Sequence, residues 1–136
     1  MPADGGIAVR ITRNGGVAPA ESGDGRFLYY ARSEAPATSI WRVPVDGGEE
    51  QPIVEELTYS LNFVVADPGL YFLSVGSAPL TTAIEFYDDV RKTRTTLLRV
   101  GKRHSVGMAL SPDKRWLLYS VVDSSGTNLM LVDNFR

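Results

Sequence analysis

Asp24-Gly25-Arg26-Phe27-Leu28-Tyr29-Tyr30, Asp67-Pro68-Gly69-Leu70-Tyr71-Phe72-Leu73 and Asp113-Lys114-Arg115-Trp116-Leu117-Leu118-Tyr119 are three versions of one pattern. Each is an aspartate-led turn that runs into an aromatic and aliphatic strand. Asp accepts hydrogen bonds from the backbone just after it, and Gly tolerates positive φ, so each stretch opens with turn chemistry. Aligning Leu28, Leu70 and Leu117 gives spacings of 70 − 28 = 42 and 117 − 70 = 47 residues. A second run follows in each unit: Ile40-Trp41-Arg42-Val43, Ile84-Glu85-Phe86-Tyr87 and Leu129-Met130-Leu131-Val132, spaced by 84 − 40 = 44 and 129 − 84 = 45.

The sequence between these runs is punctuated by Asn14-Gly15-Gly16, Asp46-Gly47-Gly48 and Ser124-Ser125-Gly126, with Asp-Gly between apolar runs a strong hairpin signal. The runs so bounded are short and rich in aromatic and β-branched residues: Ile7–Thr12, Arg26–Ala31, Ser39–Val45, Phe63–Ala66, Leu70–Val75, Ala83–Tyr87, Thr95–Val100, Met108–Ser111, Trp116–Val122 and Asn128–Val132. Each has strand length. The best helix candidate, Glu49 to Leu57, carries Pro52 in its interior, which would remove a hydrogen bond and clash with the preceding turn. The chain therefore reads as all-β. Phe27–Tyr30 and Trp116–Tyr119 are apolar on both faces, unlike a sandwich strand with one wet face. Thr95–Val100 and Glu49–Val54 are more polar, as outer strands would be. A repeat of about 40–45 residues carrying four antiparallel strands is the period of a β-propeller blade.

Ser111-Pro112-Asp113-Lys114-Arg115-Trp116-Leu117-Leu118-Tyr119 resembles the Ser-Pro-Asp-Gly-Arg-aromatic-aliphatic turn of TolB-like (WD-repeat-like) β-propeller repeats, and Glu21–Tyr30 resembles a second copy. Ser39–Glu49 resembles the third strand and following hairpin of the same repeat. The likeness spans essentially residues 7–135. It departs at Asp67-Pro68-Gly69, at Gly23 where Pro is usual, and at Lys114 where Gly is usual, so the last turn is expected to need another conformation.

The resemblance implies blades with strands a to d from the axis outward. On that register residues 1–6 are a linker-like start and Ile7–Thr12 is a lone outer strand. Blade 1 spans 18–54, blade 2 spans 62–100, and blade 3 spans 107–135 without its own outer strand. The chain is then the C-terminal three-blade portion of a propeller, half of a six-bladed ring. Three blades cannot close around an axis, and an open arc leaves two apolar blade faces and an unpaired edge. A homodimer completing the ring is the expected answer, with Ile7–Thr12 pairing with the third blade of the partner.

Composition narrows the chemistry. The chain has 136 residues, 43% hydrophobic and 22% charged, which suits one folded domain rather than a disordered segment. The formal net charge of −2 provides no global attraction for nucleic acid or anionic membrane. Absence of cysteine removes disulfides and thiolate chemistry, and a single histidine, His104, rules out a multi-histidine metal site. No basic, apolar leader and no run near the ~20 residues of a membrane span is present, so membrane insertion is not expected. The compartment, periplasmic or cytoplasmic in a bacterium, stays open.

No Gly-x-Ser-x-Gly elbow or phosphate-binding glycine loop is found, and any Ser-His-Asp triad would have to use His104. Glu49-Glu50, Glu55-Glu56 and Asp88-Asp89 are neighbours that point to opposite faces of a strand, which makes poor acid–base pairs. Asp123–Asn128 lacks the spaced ligands of a calcium loop. Arg91, Lys92, Arg94, Arg99, Lys102 and Arg103 cluster on one outer strand and its flanks without interleaved aromatics, so a nucleic-acid partner is not expected. Trp41 reads as a blade-packing residue. The loops from d to the next a, at Arg13–Val17, Leu57–Asn62 and Gly101–Gly107, would bring Arg13, Asn14, Tyr59, Asn62, Arg103 and His104 to one rim. That mixture of cationic, amide and aromatic groups suits an acidic peptide or a small anion. The expected function is a non-enzymatic propeller module for protein–protein or ligand interaction, a sensor or scaffold part of a larger bacterial protein, with no catalytic residue, metal or cofactor. The alternative is an accessory propeller of a hydrolase or lyase.

Overall fold

The computed structural model describes residues 5–76 and 82–124, and among them every strand pairs antiparallel and no helix occurs. The strands are β1 (Val17–Glu21), β2 (Phe27–Ala31), β3 (Thr38–Pro44), β4 (Gln51–Leu57), β5 (Phe63–Ala66), β6 (Gly69–Val75), β7 (Thr82–Asp88), β8 (Thr93–Val100), β9 (Arg103–Leu110) and β10 (Leu117–Val122). β1 to β4 pair in chain order, as do β5 to β8. Leu57 of β4 also pairs with Ser74 of β6, which joins the two meanders into one curled eight-stranded sheet. β9 and β10 form a separate hairpin sheet. The run Asn128–Val132 lies outside the described residues.

Two of the aspartate-led turns share their main hydrogen bonds. Ser22 Oγ accepts from the Phe27 amide at 2.9 Å and Asp24 from the Arg26 amide at 3.1 Å. Ser111 Oγ accepts from the Trp116 amide at 2.9 Å and Asp113 from the Arg115 amide at 3.2 Å. These pairs are separated by 111 − 22 = 89 residues, the sum of the two spacings 42 and 47. The expected change of conformation at Lys114 does not occur. Its φ of 58° matches the 69° of Gly25, because the surrounding serine and aspartate bonds impose the left-handed position on whichever residue stands there. In the middle copy Gly69 replaces the aromatic for a steric reason: a Cβ there would run into the Tyr87 carbonyl oxygen.

The strand map differs from the sequence expectation at three places. Within the single chain Ile7–Thr12 forms no strand, and no described residue pairs with it. β1 lies where the expected first repeat begins, at 18, but Pro19 and Ala18 leave no apolar run to mark it, and it carries a register shift with Ala18 at φ 52°. β9 begins at Arg103, well before Met108. Pro52 does lie within β4, at a stretch paired with β3, and β4 meets β6 only at Leu57, so the missing N–H falls on a free edge.

The meanders pack through opposite faces. Tyr29 and Ala31 of β2 meet Leu70 and Phe72 of β6, with Ile40, Val54, Leu57 and Phe63 completing that core. The other face of β6 contributes Leu73, which with Ile84 and Val100 meets Leu117 and Tyr119 of β10. In the alignment above, Leu28/Tyr30, Leu70/Phe72 and Leu117/Tyr119 are equivalent. Each junction thus lays the Tyr29-type face of one unit on the Tyr30-type face of the next, and among the described residues the Tyr29-type face of the β9–β10 hairpin is left bare: Trp116 is 68% and Leu118 67% exposed.

Candidate functional site

The segment after β4, residues 58–62, turns back into β5 and carries two of the expected rim residues. Asn62 is fully buried. Its Nδ2 donates to Thr58 Oγ1 at 2.8 Å and to the Ser105 carbonyl at 3.1 Å, and its Oδ1 accepts from the Gly107 amide at 2.7 Å. Asn62 therefore ties the second meander to β9, with both amide donors used and its full burial keeping it from a ligand. Tyr59, half-buried beside it, meets His104 with ring centroids 5.5 Å apart. His104 Nδ1 lies 2.8 Å from Thr82 Oγ1. Burial lowers the His104 pKa and so favours the neutral imidazole. Arg103 and His104 both lie on strand β9 rather than in a loop, and Arg103 is exposed.

Arg13 and Asn14 do not join that group. Both bind Glu50: the Arg13 amide donates to Oε1 at 2.6 Å and Asn14 Nδ2 to Oε2 at 3.1 Å. Arg32 donates to the same Oε2 at 3.2 Å. The Arg13 amide bond, foremost among these, pulls the Glu50 pKa down to about 2 although burial opposes it. The six expected residues thus divide into a Tyr59–Asn62–His104 group flanked by Arg103, and an Arg13–Asn14 pair on Glu50.

A cavity of about 540 Å³ lies between the meanders, lined among others by Glu56, Ser74, Glu85, Arg94, Thr96 and Arg99. Arg94 spans it, donating to Glu56 at 2.9 Å and pairing closely with Glu85, with its guanidinium 5.3 Å from the Phe72 ring. Burial works against the Arg94 charge, yet the bonds to Glu85 and Glu56 raise its pKa. Glu85 also accepts from Thr96 Oγ1 at 3.1 Å. Ser74 and Ala83 pair across the ladder at the end of β7 where Thr82 meets His104, so the cavity and the Tyr59–His104 pair share one end of the second meander. Sequence reasoning missed this cavity. Its walls come from β4, β6, β7 and β8, and no local pattern connects them.

The opposite end holds a clamp between the meanders. Tyr29 donates to Asp89 Oδ2 at 3.0 Å, Arg42 pairs closely with the same oxygen, and Lys92 lies 2.7 Å from Oδ1. Burial is the main reason that the Tyr29 phenol is pushed up to about 12. Asp88 turns away from that clamp and accepts from the Val90 and Arg91 amides, so the two adjacent carboxylates bind different groups. Of the six basic residues around β8, four are in ion pairs: Arg91, Lys92, Arg94 and Lys102. Trp41 lies under the Arg32 guanidinium, 4.5 Å from its ring, and donates to Ser39 Oγ at 2.8 Å.

Among the described residues no group of three or more His, Cys, Asp or Glu is placed to hold a metal ion, and no helix is long and apolar enough to cross a membrane. Asp123–Asn128 lies largely outside the described residues. Comparison with family models, with curated proteins and with solved structures finds no match.

Proposed function

We propose that this chain is a non-enzymatic interaction module built from three β-propeller units of the TolB-like type, half of a six-unit ring that two copies close. The observation that carries this reading is the repeated face pairing. Two junctions within the chain follow one rule, and the β9–β10 hairpin offers Trp116 and Leu118 for a third junction, with no described residue covering them. Apolar residues this large, side by side on one sheet face, favour burial at an interface. A head-to-tail contact that closes after two copies satisfies both ends at once. The hydrogen bonds shared by the Ser22 and Ser111 turns support the repeat.

Tyr59, Arg103 and His104, with the neighbouring charged cavity, form the partner-facing rim, suited to a peptide that offers carboxylates to Arg103 and an apolar side chain to Tyr59. His104 has a polar neighbour in Thr82 and, among the described residues, no carboxylate as a hydrogen-bond partner, so it has a positioning role and no base activity in this reading. Light scattering after size exclusion tests the module: a mass approaching twice 14.9 kDa with rising concentration is expected. A mass that stays at 14.9 kDa up to millimolar chain overturns it.

A further inference from the structure

The face on β2 that lacks a preceding unit is nevertheless covered. Tyr30 is 1% and Val43 0% exposed, although neither belongs to the core between the meanders. Over Tyr30 lies the chain's own N-terminal segment. Gly16 closes so tightly on Tyr30 that a Cβ would come within 2.5 Å of the ring. Beyond Gly16 the segment is held by Glu50, through the Arg13 amide and the Asn14 side chain, 36 to 37 residues away in sequence. Ile11 and Thr12 line a cleft with the Gly47-Gly48 turn. The outer part of the segment makes little apolar contact, with Ile7 88% and Val9 71% exposed. The fastening is polar and concentrated on one carboxylate, and the Tyr30 hydroxyl beneath it is buried with no hydrogen-bond partner.

We propose that residues 10–16 are a removable cap, latched by Glu50, over the surface on which the Trp116/Leu118 face of a second copy docks. This rests on the two-copy reading above. Equivalence within the repeat identifies the occupant. Leu70/Phe72 and Leu117/Tyr119, the counterparts of Leu28/Tyr30, are each covered by the Tyr29-type face of the preceding unit, and the only such face left bare among the described residues is the one carrying Trp116 and Leu118. In a single copy the cap shields Tyr30. In the pair it gives way, and the bare faces of both copies are buried. Association therefore competes with the Glu50 latch, and weakening the latch strengthens association.

The experiment uses the whole chain in a dilution series followed by light scattering, with Glu50→Gln as the latch variant and Trp116→Asp/Leu118→Asp as the docking variant. Glutamine keeps the size of the side chain but turns a donor toward Asn14 and Arg32. Glu50→Gln is expected to lower the dimer dissociation constant about tenfold or more. It should also speed hydrogen exchange at the Arg13 amide, and the docking variant should abolish the dimer in either background. Asn14→Ala, on the exposed segment, removes one latch bond without touching the core and is expected to act in the same direction, more weakly; it takes the place of Glu50→Gln should that variant fold poorly. Dimers of equal affinity in wild type and latch variants overturn the cap and leave the two-copy reading standing. A latch effect that survives Trp116→Asp/Leu118→Asp overturns the assigned docking face. No dimer in any variant overturns both.

Discussion

Lys114 shows how a single residue is made to accept a turn. The Ser111 and Asp113 bonds fix the loop, and the position between them is left-handed at φ 58°. For a residue with a Cβ that region costs about 1–2 kcal/mol, and glycine avoids the cost at the expense of more backbone entropy. Lys114→Gly is therefore expected to stabilise the chain by about 0.5–1 kcal/mol, read from the midpoint of urea unfolding. Loss of stability would mean that the Lys114 side chain, near the Asp67 carbonyl at 3.4 Å, contributes more than the strain it carries. Asn62 teaches the complementary lesson. Its residue type and loop position suit a binding rim, yet its amide is buried and bonded within the fold, and only the approach of Ser105 and Gly107 from β9 makes that so.

At the level of elements, β2 and β3 are joined to the second meander by more than apolar packing. Tyr29 and Arg42 project from adjacent strands onto Asp89, just beyond β7. The Arg42 and Asp89 side chains are only 13% and 16% exposed, so removing one leaves the other charge poorly solvated. Asp89→Ala is expected to cost about 2–4 kcal/mol in chemical unfolding. Tyr29→Phe, which removes only a hydroxyl from the same carboxylate, should cost about 1 kcal/mol. If Asp89→Ala costs less than Tyr29→Phe, the charge pair contributes nothing and the phenol alone holds the clamp. Strand identity was mostly legible beforehand. Phe63–Ala66 was read with its observed bounds, and Ser39–Val45 and Ala83–Tyr87 within a residue or so, because aromatic and β-branched runs between turns depend on local pattern. β1 escaped because Pro19 and a bulge break that pattern, and the place before Asp24 in the repeat was the one signal for it. Ile7–Thr12 had the right composition, but a strand is defined by the neighbour to which it bonds.

For the whole molecule, the repeated junction separates two kinds of large apolar residue. Phe72 is fully buried between meanders, and its replacement by alanine is expected to cost about 3–5 kcal/mol. Trp116 is 68% exposed, so Trp116→Ala should cost less than about 1 kcal/mol in dilute protein. At concentrations where the pair forms, the same substitution should lower the melting midpoint by several degrees more than it does in dilution. An equal effect at both concentrations would show that Trp116 plays no part in association.

The aspartate-led turns, the alternation between apolar and polar strands, the all-β class and the spacing of the repeat were all written in the sequence, because each rests on residues within a few positions of one another. The pairing of Leu57 with Ser74, the charged cavity around Arg94, the burial of Asn62 and the Glu50 latch on Arg13 and Asn14 were decided only by tertiary structure. Each joins groups that lie far apart along the chain, and composition does not say which distant backbone amide a buried carboxylate or carboxamide will find.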